Sequence, residues 1–144
     1  MMNKALKVSK NILINASLEQ VWDVLTNPEK IKGYLYGTET ITDWKVGSPI
    51  IFQGEYDGYK YKDKGFIVEN IVLQSIKYSY WSGFSGLEEK LENHSLVIYQ
   101  LKEISDNQVE FTWGQEGFAN EGGMQHSENG LPSLLEQIKA LAEK

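Results

Sequence analysis

The chain has no cysteine, no arginine and only two histidines, His94 and His126, among its 144 residues. Without cysteine there is no disulfide, thiol nucleophile, iron–sulfur cluster or cysteine zinc site. Two histidines cannot build a three-imidazole zinc centre within one chain. All 14 basic residues are lysine, so no guanidinium fork is available to clasp phosphate or carboxylate. The net charge of −6 speaks against a nucleic-acid partner held by a basic surface. Apolar runs are short, as in Ile71-Val72-Leu73, far below the roughly 20 residues that span a bilayer. Met1 to Lys10 is polar and basic, so no secretory signal is expected, and a cytoplasmic location follows as the expectation. No cofactor and no metal are expected. No repeat, linker or low-complexity tract divides the chain, which reads as one domain over residues 1–144.

Aromatic side chains, in contrast, are plentiful: 4 Trp, 8 Tyr and 5 Phe make up 12% of the chain. Tyr and Trp join an apolar body to a polar handle, which suits a cavity wall as well as a core.

Lys7 to Asn15 reads as a strand. Ser17 then offers an N-cap, with Gln20 three residues on to complete a capping box. Leu18, Val21, Trp22 and Leu25 follow on one helical face. Pro28 disfavours helical geometry at Asn27 and starts a second short helix carrying Ile31, Tyr34 and Leu35. From Thr38 to Trp113 the period changes to two. Trp44 to Gly47 reads as a strand end and turn. Pro49 to Asp57 alternates, and Asp57-Gly58 signals a hairpin. Tyr59 to Ile71 follows, with Gly65 marking a bulge or a close contact. Ser75–Trp81, Ser95–Glu103 and Gln108–Gly114 alternate in turn, with a polar loop over Ser82–Asn93. Gly117 to Gly123 reads as a loop. Leu131, Leu134, Leu135, Ile138, Leu141 and Ala142 define a closing amphipathic helix of about three turns; an earlier helical turn over Met124 to Asn129 can precede it, with a break or kink at Gly130–Pro132.

One strand, two short helices, six or so meandering strands and a long helix with a single apolar stripe define an α+β class. A curved antiparallel sheet wrapped around the last helix buries that stripe, and a cavity can remain between them.

These residues resemble a known superfamily. The matching pieces are Ile12–Ser17 followed by Val21–Thr26 and Asn27-Pro28-Glu29, then Trp44-Lys45-Val46-Gly47, Gly65–Glu69 and Ile76–Trp81. Gly117-Phe118, His126 and Gly130-Leu131-Pro132-Ser133-Leu134-Leu135 with Leu141 complete the set. In order and spacing they resemble the START-like superfamily with the helix-grip fold, and within it the Aha-type branch, named for an activator of a heat-shock chaperone ATPase. The resemblance implies a helix-grip fold and a ligand cavity. Many relatives place Trp where this chain has Leu131, which opens volume at the helix–sheet contact. The eukaryotic activator carries a further N-terminal chaperone-binding domain, which is not expected here, so chaperone activation is not the first function the resemblance implies.

Trp22, Tyr34, Phe52, Tyr56, Phe66, Tyr78, Tyr80, Trp113 and Phe118 are the aromatic candidates for a cavity wall, joined by Leu131, Leu135 and Ile138 from the last helix. Ordinary core packing is the competing account for each. His126 has a side chain suited to general-base work but no dyad partner at a defining spacing. His94 opens a strand. Glu88, Glu89 and Glu92 read as a solvated face, and Lys60, Lys62 and Lys64 as edge-strand protection. The glycine-rich stretch after Gly114 lacks the Gly-Lys-Ser/Thr of a phosphate loop. Three functions remain open. The first is binding of a small hydrophobic or aromatic molecule, as monomer or homodimer. The second is a protein-interaction module, chaperone contact included. The third is a cyclase- or hydrolase-type enzyme using the same cavity.

Overall fold

The computed structural model describes residues 2–144; Met1, the first residue of the expected domain, lies outside them. The elements are β1 (Asn3–Ile14), α1 (Leu18–Thr26), α2 (Pro28–Tyr34), β2 (Glu39–Ile41), β3 (Pro49–Tyr56), β4 (Tyr59–Ile71), β5 (Ser75–Tyr80), β6 (Ser95–Ser105), β7 (Gln108–Phe118) and α3 (Glu121–Ala142). Two short 3-10 turns, Gly83–Ser85 and Leu91–Asn93, punctuate the loop between β5 and β6. The strands form one seven-stranded antiparallel sheet in the order β1-β7-β6-β5-β4-β3-β2. The sheet curves around α3, which gives the helix-grip arrangement.

Local chemistry explains the early elements. The Ser17 hydroxyl accepts from the Gln20 amide at 3.2 Å, and the Gln20 side chain accepts from the Ser17 amide at 2.8 Å. Both halves of the capping box are therefore present. Asn27 closes α1 and opens α2, donating its N–H to the Asp23 carbonyl at 2.8 Å while its side chain accepts from the Glu29 amide at 3.1 Å. Its extended backbone is what Pro28 requires. Asp57 and Gly58 both have positive φ, the hairpin geometry that joins β3 to β4 with Tyr56 opposite Tyr59.

Gly65 is where the sheet bends. A Cβ there would stand 1.7 Å from the Ser79 carbonyl oxygen. The Ser79 hydroxyl instead accepts from the Phe66 amide at 2.9 Å, and the β4–β5 register shifts just beyond, between Ile67 and Glu69.

Several boundaries differ from expectation. β7 runs on to Phe118, and β2 is a short edge strand that periodicity does not signal. The last helix is one 22-residue element: the earlier turn over Met124 to Asn129 and the three-turn helix after it join without a break, and the start at Glu121 lies inside the stretch that reads as a loop. Asn120 caps it by accepting from the Gly123 amide at 2.8 Å, so the two early glycines sit in a capped first turn. Pro132 lies inside it and withholds the donor that the Glu128 carbonyl would use.

The core lies between the sheet and the helices α1, α2 and the C-terminal half of α3. Leu131, Leu135, Ile138 and Ala142 form the buried stripe of α3. They pack in one cluster with Ile14, Val21, Val24, Leu25, Ile31, Val109 and Phe111. Lys139 donates to the Leu13 carbonyl at 3.1 Å and Glu143 accepts from the Asn15 amide at 2.8 Å, which fastens the end of α3 to β1. Among the described residues no helix is long and apolar enough to cross a membrane.

Candidate functional site

The two halves of α3 differ in sequence, and that difference makes the site. From Leu131 onward large apolar residues recur every three or four positions. Before it, the sheet-facing positions hold Ser127 and Met124, and no residue from Glu121 to Gly130 is buried. This half of the helix has too little side-chain volume to fill the concavity of the sheet. The gap is a cavity of about 320 Å³, with a second lobe of about 280 Å³ extending along the helix. Both lie near the small end of the range for ligand sites, about 300–1,000 Å³. Leu35, Tyr36, Trp113, Gln115 and Ser127 line both lobes.

Strand alternation sets the wall of the first lobe. On β5, Tyr78 and Tyr80 point inward and Ser79 outward. On β4, Tyr61 and Asp63 point inward. Phe52 of β3, Val97 of β6 and Trp113 of β7 complete the wall. The aromatic rings form a continuous string: Phe52 lies 5.9 Å from Tyr80 and 5.6 Å from Tyr78, Tyr78 lies 5.5 Å from Tyr99, and Tyr99 lies 4.6 Å from Trp113, centroid to centroid. The hydroxyls of Tyr78 and Tyr99 meet at 2.7 Å. Burial pushes the phenols of Tyr34, Tyr78, Tyr80 and Tyr99 upward, so all four are neutral across the ordinary pH range.

One end of the first lobe is polar. Tyr80 donates to Asp63 Oδ2 at 2.5 Å, and the hydroxyls of Thr38 and Tyr61 meet at 2.5 Å beside it. Asp63 is only 8% exposed, and its second oxygen, Oδ1, is buried without a hydrogen-bond partner. Burial raises the Asp63 carboxyl above its ordinary value, against the opposing pull of the Tyr80 phenol and the nearby Ser82 hydroxyl. Ser82 favours the ionised carboxylate without reaching hydrogen-bond geometry to Oδ1. The second lobe is more apolar, with Val8, Leu131 and Leu134 on its walls and His126 and Gly130 at its rim.

Of the residues expected at a cavity wall, the structure brings Phe52, Tyr78, Tyr80, Trp113 and Leu131 together around these two lobes. Tyr34, Phe118, Leu135 and Ile138 are buried core residues, and Trp22 packs against that core partly buried. Two placements are corrected. Tyr56 has the same parity as Phe52 but sits at the hairpin tip, beyond the reach of α3, and is 71% exposed. Phe66 has the opposite parity to Asp63 and Ile67; it is 45% exposed on the convex face, stacked on the His94 ring at 6.4 Å.

His94 is itself buried there, with Nδ1 3.1 Å from the Ser79 hydroxyl, and burial lowers its pKa. The two histidines therefore occupy opposite faces of the sheet and share no site. The Lys comb is partly as expected: Tyr59 to Asp63 pairs with β3 alone and overhangs β5, while Lys64 pairs with Glu89 at 2.6 Å. Among the described residues no group of three or more acidic or histidine side chains is placed to hold a metal ion.

Leu35, Tyr36, Thr38, Tyr61, Asp63, Val97, Gln115 and Ser127 were not legible as site residues from patterning alone. For Asp63 a signal existed: it is a carboxylate on the inward parity of β4, shared with Tyr61 and Ile67. For Leu35, Tyr36 and Thr38 there was none, since they come from the turn after α2.

A curved antiparallel sheet gripping a C-terminal helix, with an open aromatic-walled cavity between them, defines a START-like, helix-grip domain. The chain matches the family described as "Activator of Hsp90 ATPase homolog 1-like protein" over residues 15–143, and it belongs to that family. No curated protein matches the chain. The solution structure of a protein from Cytophaga hutchinsonii is 35% identical, covers 99% of this chain and 97% of its own, and superposes with a TM-score of 0.82. An HSP90 activator from Plasmodium falciparum is 15% identical with a TM-score of 0.75, covering 94% of this chain and 95% of its own. The solution structure of the Aha1 dimer from Colwellia psychrerythraea is 16% identical with a TM-score of 0.73, covering 95% and 96%. At those identities the last two speak for the fold alone.

Proposed function

We propose that the protein is a binding domain that holds a small molecule with an apolar or aromatic body between the sheet and the first half of α3. The observation that carries this reading is the two-lobed cavity, walled by Phe52, Tyr78, Tyr80 and Trp113 and left open by the small side chains of α3. A core built only for stability would close such a gap, because each unfilled void forfeits packing energy. Tyr36 supports it further. This residue forms the rim of both lobes, is 80% exposed and has a φ of 54°. A bulky side chain in that left-handed conformation is strained, and such strain concentrates at ligand clamps.

The test is displacement of an aromatic fluorophore, paired with native mass spectrometry. Uptake at micromolar concentration is expected, and Ser127→Trp, which fills the junction of the lobes, removes it. No uptake of lipid-like or aromatic molecules by the wild-type chain overturns the reading.

A chaperone-contacting module is the second reading. It is supported by the family's description and by the exposed apolar side chains of Val46, Phe66, Val68 and Val72. Stimulation of the host chaperone's ATPase by the purified chain, lost on Phe66→Ser with Val68→Ser, is the measurement that favours it.

A further inference from the structure

The geometry points to a primary or secondary organic ammonium as the ligand class of the cavity: an apolar or aromatic body whose N–H donates to Asp63 Oδ1 while Tyr80 holds Oδ2. This inference rests on the cavity reading above and adds the chemistry of the ligand's head group.

Three observations carry it. First, Asp63 lines the first lobe and carries a buried acceptor with no donor. Tyr80 occupies Oδ2 at 2.5 Å, whereas Oδ1 is buried and unpartnered on a residue that is 92% removed from solvent (8% exposed). A buried carboxylate oxygen without a donor is costly, and a bound N–H removes that cost.

Second, the charge has no counterpart. Among the described residues no ion pair involves Asp63. No lysine lines either lobe, and the chain has no arginine. Lys64, the next residue, points to the opposite face and is occupied by Glu89. A carboxylate, phosphate or sulfate head would therefore meet an uncompensated negative charge, so fatty-acid-like anions are disfavoured. An ammonium supplies both the missing donor and the missing charge, whereas an alcohol supplies the donor alone.

Third, the walls nearest the carboxylate are aromatic. Phe52 lies opposite Asp63 in the β3–β4 register, and Tyr61, Tyr78 and Tyr80 share the same lobe. Aromatic faces attract a cation more strongly once it is desolvated. The second lobe, with Val8, Leu131 and Leu134, takes the apolar body.

The test uses three molecules with one body and three heads: phenylbutylammonium, phenylbutanol and phenylbutyrate. Binding to the wild-type chain and to Asp63→Asn is measured near neutral pH by calorimetry, with the Trp113 indole resonance reporting the site. In the wild type the ammonium binds tightest, at least about tenfold above the alcohol, as a hydrogen bond to a charged group implies, and the butyrate binds weakest. In Asp63→Asn the ammonium's advantage over the alcohol shrinks to within about twofold. The proposal is overturned, with the cavity reading intact, if the alcohol binds the wild type as tightly as the ammonium, or if the ammonium's advantage survives in Asp63→Asn. If none of the three binds the wild type, the cavity reading falls and this proposal with it. The wild-type series decides the matter even if Asp63→Asn does not fold.

Discussion

The phenol of Tyr80 donates to one oxygen of Asp63 at 2.5 Å, and the other oxygen of that carboxylate is buried with nothing to accept from. A chain selected for stability alone would not keep this arrangement. Burial raises the folded-state value of Asp63 above the 3.8 of the free side chain. The folded protein therefore holds this proton more tightly than the unfolded chain does. The sign follows. Stability associated with Asp63 is fully present below pH 3.8 and is lost as pH rises from there through the raised value. Asp63→Asn mimics the protonated form at every pH. It is expected to melt above wild type near neutral pH, by roughly 2–5 °C, with the gap closing as pH falls toward 4. Thermal melts of both proteins across that range measure it. A variant that melts below wild type at neutral pH would show that the ionised carboxylate stabilises the fold.

The pair formed by Tyr78 and Tyr99 behaves differently. Their hydroxyls satisfy each other at 2.7 Å in a buried position. Tyr99→Phe leaves the Tyr78 hydroxyl without that partner and is expected to cost about 1–3 kcal/mol. Tyr78→Phe with Tyr99→Phe removes both polar groups, so the double variant costs less than the two singles added together, with a coupling of about 1 kcal/mol. Urea denaturation of the four proteins closes the cycle. Additivity would mean that neighbouring groups or water replace the lost bond.

How far the sequence reveals this molecule depends on whether the controlling interactions are local. α1 and α2 were readable because a capping box and an Asn-Pro pair act within four residues. β4 was readable over its whole length because Asp57-Gly58 pins its start and alternation carries it to Ile71. α3 was harder. Its glycines and Pro132 read as a loop and a break, and it took the Asn120 cap and the packing of Leu131, Leu135 and Ile138 to override them. Within the site, parity separates Tyr78 from Ser79 but cannot tell that Tyr56 lies past the end of the helix. The polar end was hidden for another reason. Asp63 stands between Lys62 and Lys64, two residues that read as edge-strand protection, although alternation already sets it on the side of Ile67. Tyr36 and Thr38 are brought to the cavity by a turn whose geometry depends on the sheet beneath it.

Leu131 offers a direct test of whether the second lobe matters. It lines that lobe together with Trp113. Leu131→Trp adds apolar surface into existing space instead of forcing the core apart, so the variant is expected to be at least as stable as wild type, with a gain up to about 1 kcal/mol. Binding of an aromatic molecule should weaken about tenfold as the lobe fills. Melting and fluorophore displacement are read on the same sample. A stable variant with unchanged binding would confine the ligand to the first lobe, around Phe52 and Asp63.

Two glycines make opposite predictions from the same substitution. At Gly65 an added methyl would meet the Ser79 carbonyl oxygen at 1.7 Å, and that oxygen is backbone of the neighbouring strand, itself paired with β6. It cannot move without breaking the β5–β6 ladder, so Gly65→Ala is expected to cost more than about 3 kcal/mol and to open the bend that brings Asp63 and Tyr80 together. At Gly130, inside α3, an added methyl meets nothing within 4 Å. Gly130→Ala there removes backbone freedom from the unfolded chain and is expected to stabilise by about 0.5–1 kcal/mol. Chemical denaturation of both variants supplies the comparison. If Gly65→Ala folds with near-normal stability, the sheet does not depend on that close approach, and its curvature must come from the register shifts elsewhere.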